Sequence, residues 1–529
     1  MSARVVRATT RRAFRPGERR SGLDVRVTGG VVRGVREGPV IAWRGIPYAA
    51  APSGRLRFRS PGPVAAWTGI RDGSEFGPVA PQAFRGQFRG AGPDIPASED
   101  CLSINVLTVP SAADRTSRRG KPVMVFIHGG GYSAGSSRDF SGQGEGFVHS
   151  GEVVFVSFNY RLGALGYLDF STYSTRSRRF ESNLGLRDQV AALQWVQRNI
   201  AAFGGDAGRV TIFGESAGGN AVTTLMATPA ARGLFARAIA QSAPASAVYR
   251  PSLTASWAGQ VLDFLRSEVA AELAEAEPGD LLTLADAPSL IRATLRLQIQ
   301  TPDRDPGRFC LAPVVDGKFL PEYPLDAFRA GRAHRVPLII GTNQREGSIF
   351  RGRVDILPRT PQRIRSLFGE APAGAREPMM RAYPGLSSRR VSADFGGDFG
   401  FWFPSVKVAE YHSRFSLVHC YRFDFAPRLL RVVGLDATHG VEMFALFGST
   451  DVPLSRAMTA LGGAGAYEEA GSRMRGNWLR FARGTDLSED WPAYRLPERR
   501  TLVINAIDSV VSDPASERRK AWEAFLPGL

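Results

Sequence analysis

Five consecutive residues, Gly214-Glu215-Ser216-Ala217-Gly218, fit the pattern G-x-S-x-G. A serine in that setting can act as a nucleophile if the chain turns sharply around it, because the flanking glycines remove the Cβ clash that such a turn creates. The surroundings carry most of the weight. Val210-Thr211-Ile212-Phe213 reads as a strand, and Ala217 to Met226 has helical spacing. Strand, turn and helix would present Ser216 at a helix N-terminus, where backbone N–H groups and the dipole favour developing negative charge. A second stretch, His128-Gly129-Gly130-Gly131-Tyr132, follows the apolar run Val123 to Ile127. Its glycines let the backbone approach a substrate and offer amides to an oxyanion, each donor typically worth about a hundredfold to a thousandfold in rate. Together the two stretches suggest acyl transfer. The residues alone leave the base open among His128, His149, His334, His412, His419 and His439.

The elements that must hold these loops follow from the pattern of apolar runs. Val123 to Ile127, Val153 to Phe158, Val210 to Phe213, Ala236 to Ala240, Val336 to Ile340 and Leu417 to Phe425 read as strands, several of them short enough and apolar enough to be buried on both faces. Leu184 to Phe203 places Val190, Leu193, Val196 and Ile200 on one helical face, and Gly204-Gly205 stops it. Strands interleaved with helices predict an α/β fold: a large, mostly parallel sheet with helices on both faces. Leu23 to Trp67, with Gly-Gly turns, predicts small antiparallel strands. Residues 250–308 are charged and helical, and read as an insertion over the sheet. The expectation is a disordered basic tail at 1–22 and one domain over 23–529.

The chain has 529 residues and a net charge of +17. Lysine occurs only at Lys121, Lys318, Lys407 and Lys520, so arginine supplies nearly all the positive charge, a skew that fits genomic composition better than nucleic-acid binding. No basic stripe with interleaved aromatics is present, so no nucleic-acid partner is expected. The three cysteines, Cys101, Cys310 and Cys420, are too few and too far apart for a disulfide framework or a paired-cysteine metal site. Thr10-Arg11-Arg12-Ala13-Phe14 lacks the apolar segment an export signal requires, and no apolar run is long enough to span a bilayer. A cytoplasmic location is expected, with monomer and homodimer both open.

The chain resembles the type B carboxylesterases, the family of cholinesterases and bacterial para-nitrobenzyl esterases, from about Val25 to Trp522. The matching segments run in order: Arg44 to Ala49, Phe76-Gly77-Pro78, Glu99 to Val106, the glycine loop, Asn159 to Gly163, Asn183 to Gln189, Phe203 to Asp206, and Gly214 to Gly219. The resemblance implies the α/β-hydrolase fold and a triad of Ser216, Glu346 and His439. Glu346 comes from Gly341-Thr342-Asn343-Gln344-Arg345-Glu346-Gly347, and His439 from His439-Gly440-Val441-Glu442. It also implies Gly130, Gly131 and Ala217 as oxyanion donors, with Glu215 and Ser242 supporting the triad. Ala80 replaces the upstream cysteine with which many relatives pair the one at Cys101, so Cys101 should be a free buried thiol. Phe84 to Ser98 contains no Trp, which disfavours a choline substrate.

The expected reaction is hydrolysis of a small-molecule carboxylic ester. His439 takes the Ser216 proton, Glu346 orients the imidazole, and an acyl-enzyme forms and is hydrolysed. No metal or organic cofactor is expected, and activity should rise with pH as His439 deprotonates. Medium-sized or aromatic esters are expected, with Tyr132, Phe401, Trp402 and Phe403 as pocket aromatics. Two other readings stand beside this one: a carbamate or amide hydrolase using the same residues, and a non-catalytic binding protein of cholinesterase type.

Overall fold

The computed structural model describes residues 22–84, 91–92, 94–110, 119–138 and 144–529. The tail expected at 1–22 lies outside the described residues except for Gly22.

Fourteen strands occur among the described residues: β1 (Asp24–Val27), β2 (Gly30–Arg33), β3 (Val35–Glu37), β4 (Val40–Pro47), β5 (Ile70–Asp72), β6 (Ser103–Thr108), β7 (Lys121–Ile127), β8 (Val154–Phe158), β9 (Gly205–Glu215), β10 (Arg237–Gln241), β11 (Leu338–Asn343), β12 (Val418–Phe423), β13 (Arg500–Ile504) and β14 (Ser509–Ser512). Eleven of them form one sheet in the order β14-β13-β12-β11-β10-β9-β7-β8-β6-β4-β3. The stretch from β13 through β12, β11, β10, β9 and β7 to β8 is parallel, and both flanks are antiparallel. A small second sheet, β1-β2-β5, stands apart. The early residues form small antiparallel strands as expected, β1 with β2 in the second sheet and β3 with β4 at the edge of the main sheet, which β4 joins through β6.

Alternation along the central strands feeds two cores. Val123, Val125, Ile127, Val154 and Val156 pack into one. Met124, Phe126, Phe155 and Phe213 turn to the other. Successive strand side chains point to opposite faces, so a strand covered on both sides must be apolar throughout, and β8 and β11 are buried along their whole length.

Helices cover both faces. Helix α1 (Leu184–Asn199) continues into a tight turn through Ile200–Phe203 and ends at Gly204. Helix α2 (Ala217–Ala227) follows β9 directly. Residues 250–308 contain α3 (Pro251–Arg266) and α4 (Ala287–Arg304), which pack together. Later helices are α5 (Arg389–Gly397), α6 (Phe403–His412), α7 (Val441–Phe447), α8 (Ala464–Arg483) and α9 (Ser516–Phe525). Cys101, Cys310 and Cys420 are all buried free thiols. No described helix is long and apolar enough to cross a membrane.

Because the central strands are parallel, their carboxyl ends share one side of the sheet. The turns leaving β7, β9, β10, β11 and β12 meet there, which is where open α/β sheets build ligand sites.

Candidate active site

Ser216 sits between β9 and α2 with φ 60° and ψ −122°, a conformation that L-residues seldom adopt. Its amide is not left orphaned: it donates to the Gln241 carbonyl at the end of β10, at 3.0 Å. The turn is so tight that a Cβ on Gly218 would lie 2.1 Å from the Ile127 carbonyl oxygen. Glycine is required there by close approach of the neighbouring strand.

Glu346 and His439 come from loops beyond β11 and β12. Gly347 and its neighbours form a short 3-10 turn starting at Glu346. One carboxylate oxygen of Glu346 accepts from Ser242 Oγ at 2.7 Å and from the Asn343 amide at 2.6 Å. The other lies 2.6 Å from His439 Nδ1. That bond places the Nδ1 proton and leaves Nε2 as the basic nitrogen. Nε2 makes no hydrogen bond to the described residues, but Glu215 Oε1 lies 3.1 Å away in poor alignment for one. The residue before Ser216 thus lies against the imidazole. Two rings complete the junction: His439 packs 5.1 Å from Phe350 and 4.4 Å from Phe401, and both rings line the cleft that contains Ser216.

The electrostatics are strong. Burial favours neutral imidazole, but the carboxylates of Glu215 and Glu346 outweigh it and hold the His439 pKa up at about 9. Burial raises the Glu215 carboxyl, His439 opposing and Glu346 adding. Burial, with the charge of Glu215, raises Glu442 as well. Glu215 and Glu442 influence each other's ionisation, so their protons belong to the pair.

The loop after β7 lies beside the turn at Ser216, since Ile127 pairs with Gly214. Gly130 has φ 101°, and a Cβ there would meet the Ala134 carbonyl oxygen at 2.2 Å. Gly131 and Ala217 line the cleft with Ser216. The amides of Gly130, Gly131 and Ala217 donate to no group of the described residues. His128 is engaged elsewhere: Nδ1 is 2.9 Å from the Gly129 carbonyl and the ring stacks on Tyr160. A hydroxyl, a basic imidazole oriented by a carboxylate, and amides without an acceptor among the described residues, beside one cleft, can together perform nucleophilic acyl transfer.

A family model described as the carboxylesterase family matches residues 21–522. The chain belongs to the carboxylesterase family. It is a carboxylic ester hydrolase. It is 33% identical over 500 residues to a para-nitrobenzyl esterase of Bacillus subtilis (strain 168), covering 93% of this chain and 96% of that one. A cocaine esterase of Oryctolagus cuniculus is 32% identical over 517 residues, with 91% of each chain covered. A solved PNB esterase structure superposes with a TM-score of 0.83 at 32% identity, covering 95% of this chain and 99% of that one.

Within this carboxylesterase, the structure brings together Ser216, Glu346, His439, Glu215, Ser242 and the glycine loop. Of the aromatics expected in the pocket, Tyr132 and Phe401 line the cleft. Trp402 and Phe403 do not. Trp402 lines a separate cavity with Tyr421 and Tyr494, and Phe403 packs on Trp522 in a separate core cluster. The reason is a π-helical turn over Asp398–Trp402, between α5 and α6, which rephases the helix so that neighbouring aromatics point apart. Phe350, Phe309, Gln298 and Arg308 also line the cleft and were not legible from spacing. Glu442 was visible in its motif but without a role: it is buried and accepts from Asn343 Nδ2 at 2.6 Å. Arg345, in the loop that carries Glu346, pairs with Asp394 and Asp436, both at 2.8 Å, and anchors that loop.

Proposed function

We propose that this carboxylesterase hydrolyses its esters through a Ser216–His439–Glu346 triad and an acyl-enzyme. The supporting observation is the packing of His439, bonded through Nδ1 to Glu346, against the two rings that wall the cleft at Ser216. Ser216 Oγ attacks the ester carbonyl and His439 Nε2 takes its proton. Glu346 keeps the proton of His439 on Nδ1 and stabilises the imidazolium. The carbonyl oxygen, now an oxyanion, is received by the amides of Gly130, Gly131 and Ala217, which have no competing acceptor among the described residues. The imidazolium protonates the departing alkoxide. Water, deprotonated by the same nitrogen, then releases the acid and restores Ser216. Ser242 and the Asn343 amide hold the back of Glu346 so that it presents one oxygen to His439.

The lining of the cleft is mostly apolar, with Tyr132, Phe309, Phe350 and Phe401 among its rings. That favours esters with medium-sized or aromatic groups, whose burial supplies the binding energy. An organophosphate should label the enzyme once per chain with loss of para-nitrophenyl ester hydrolysis. Ser216→Ala should neither label nor turn over. Retention of stoichiometric label or of activity in Ser216→Ala would falsify the assignment.

A further inference from the structure

The cleft at Ser216 has one charged residue among its described lining, Arg308. Its neighbours there are apolar or uncharged, including Phe309, Cys310, Leu311 and Thr301. Arg308 is half-buried, and it has no ion-pair partner among the described residues. The acids nearest to it in the chain are already engaged. Asp303 pairs with Arg363 at 2.7 Å, and Asp305 accepts from Trp257 Nε1 at 3.0 Å. The segment that carries Arg308 is tied down on both sides. Its own amide donates to the Asp305 carbonyl, and the Phe309 amide donates to Tyr249 Oη at 2.8 Å. An arginine on a fixed loop, facing an apolar cleft and lacking a counter-ion, is a binding group for an anion. Planar guanidinium matches a carboxylate with two parallel hydrogen bonds. The carboxyl groups of Glu215, Glu346 and Glu442 are packed around His439 and are not among the lining of the cleft. A substrate anion entering the cleft meets its cationic partner at Arg308.

We propose that the esters this enzyme prefers carry a carboxylate, which pairs with Arg308 while the ester group reaches Ser216. The proposal rests on the assignment of Ser216 as nucleophile and adds the substrate class.

Two matched pairs of esters test it with the full-length enzyme. The mono-para-nitrophenyl ester of adipic acid against para-nitrophenyl hexanoate places the carboxylate on the acyl part. Meta-carboxyphenyl hexanoate against phenyl hexanoate places it on the alcohol part. The quantity read is the kcat/KM ratio of anionic to neutral ester within each pair. In at least one pair, Arg308→Gln should lower this ratio by about tenfold or more, the loss expected for a charge-assisted bond. Arg308→Lys should recover part of it, and Arg308→Glu should lower it further. Added salt should reduce the ratio in the wild type more than in Arg308→Gln. The proposal is overturned if Arg308→Gln leaves both ratios where they were while the neutral esters are turned over by the wild type and not by Ser216→Ala, an outcome that keeps the nucleophile assignment. Failure of the wild type to hydrolyse any of the four esters overturns both.

Discussion

Glu215 stands one residue before Ser216, and its carboxylate lies 3.1 Å from His439 Nε2, the nitrogen proposed to accept the serine proton. Negative charge there stabilises imidazolium, and with Glu346 it holds the His439 pKa up at about 9. A raised histidine pKa leaves the base protonated at neutral pH, so activity must climb as pH rises through the alkaline side of neutrality. The kcat/KM of a neutral para-nitrophenyl ester should therefore rise from pH 6 to about pH 9. Glu215→Gln removes one of the two charges, lowers the histidine pKa, and should move the acid limb to lower pH. A limb that stays in place in the variant would show that Glu215 does not face the working imidazole. Ser242 acts from the other side. Its hydroxyl and the Asn343 amide share one oxygen of Glu346. Ser242→Ala leaves that buried oxygen half-satisfied and frees the carboxylate to turn from His439. A fall of about tenfold in kcat is expected, with little change in thermal midpoint, and an unchanged kcat would place Ser242 outside the triad's support.

Strand and turn act as one unit at Ser216, and the sequence makes this unit unusually easy to read. Val210 to Phe213 is an apolar run that can only be a buried strand, and glycines mark where the next element must crowd it. The strand proved longer, Gly205–Glu215, because its start, Gly205 to Arg209, carries no hydropathy signal although Gly205 pairs with Lys121 of β7. The tightness of the turn yields a direct test. Gly218→Ala would set a Cβ 2.1 Å from the Ile127 carbonyl oxygen, a backbone atom that cannot rotate away. Either β7 and β9 separate or Ser216 shifts. The variant should lose about 1–3 kcal/mol in urea unfolding, as overpacked sites do, and its organophosphate labelling rate should fall with it. Wild-type stability and labelling together would mean that the turn has slack. The aromatic run at Phe401-Trp402-Phe403 shows the opposite limit of reading. Three adjacent rings suggest one pocket, yet a helix fans neighbours about a third of a turn apart, and the π turn at Asp398–Trp402 alters the phase again. Direction depends on backbone hydrogen bonds that leave no mark in residue type. Arg308 escaped for a related reason: in a chain rich in arginine, nothing in its own type marks the one that meets a cleft.

At the scale of the molecule, the parallel centre of the sheet was legible because burial on both faces forces uninterrupted apolar runs. Its antiparallel flanks were less so. The placement of β3 and β4 on the main sheet is decided by pairing with β6, distant in sequence. What locks these distant pieces together is partly ionic. Arg161, in the loop after β8, donates through Nε and a terminal nitrogen to Asp188 of α1 at 2.8 and 2.7 Å. Another nitrogen reaches the Arg59 carbonyl at 2.8 Å. The pair is almost fully buried, with side-chain exposures of 3% and 0%. Burial disfavours the guanidinium charge, and the Asp188 carboxylate more than restores it. Such a pair contributes little net stability compared with apolar residues of the same volume, but breaking it strands a charge. Asp188→Ala should therefore cost about 3–5 kcal/mol in urea unfolding. Replacing both partners, Arg161→Met with Asp188→Leu, should recover most of that loss, because no unpaired charge remains and the core closes over an apolar contact. A single substitution costing less than about 1 kcal/mol would mean that water reaches Arg161, and that hydrophobic packing alone holds the loop after β8 against α1.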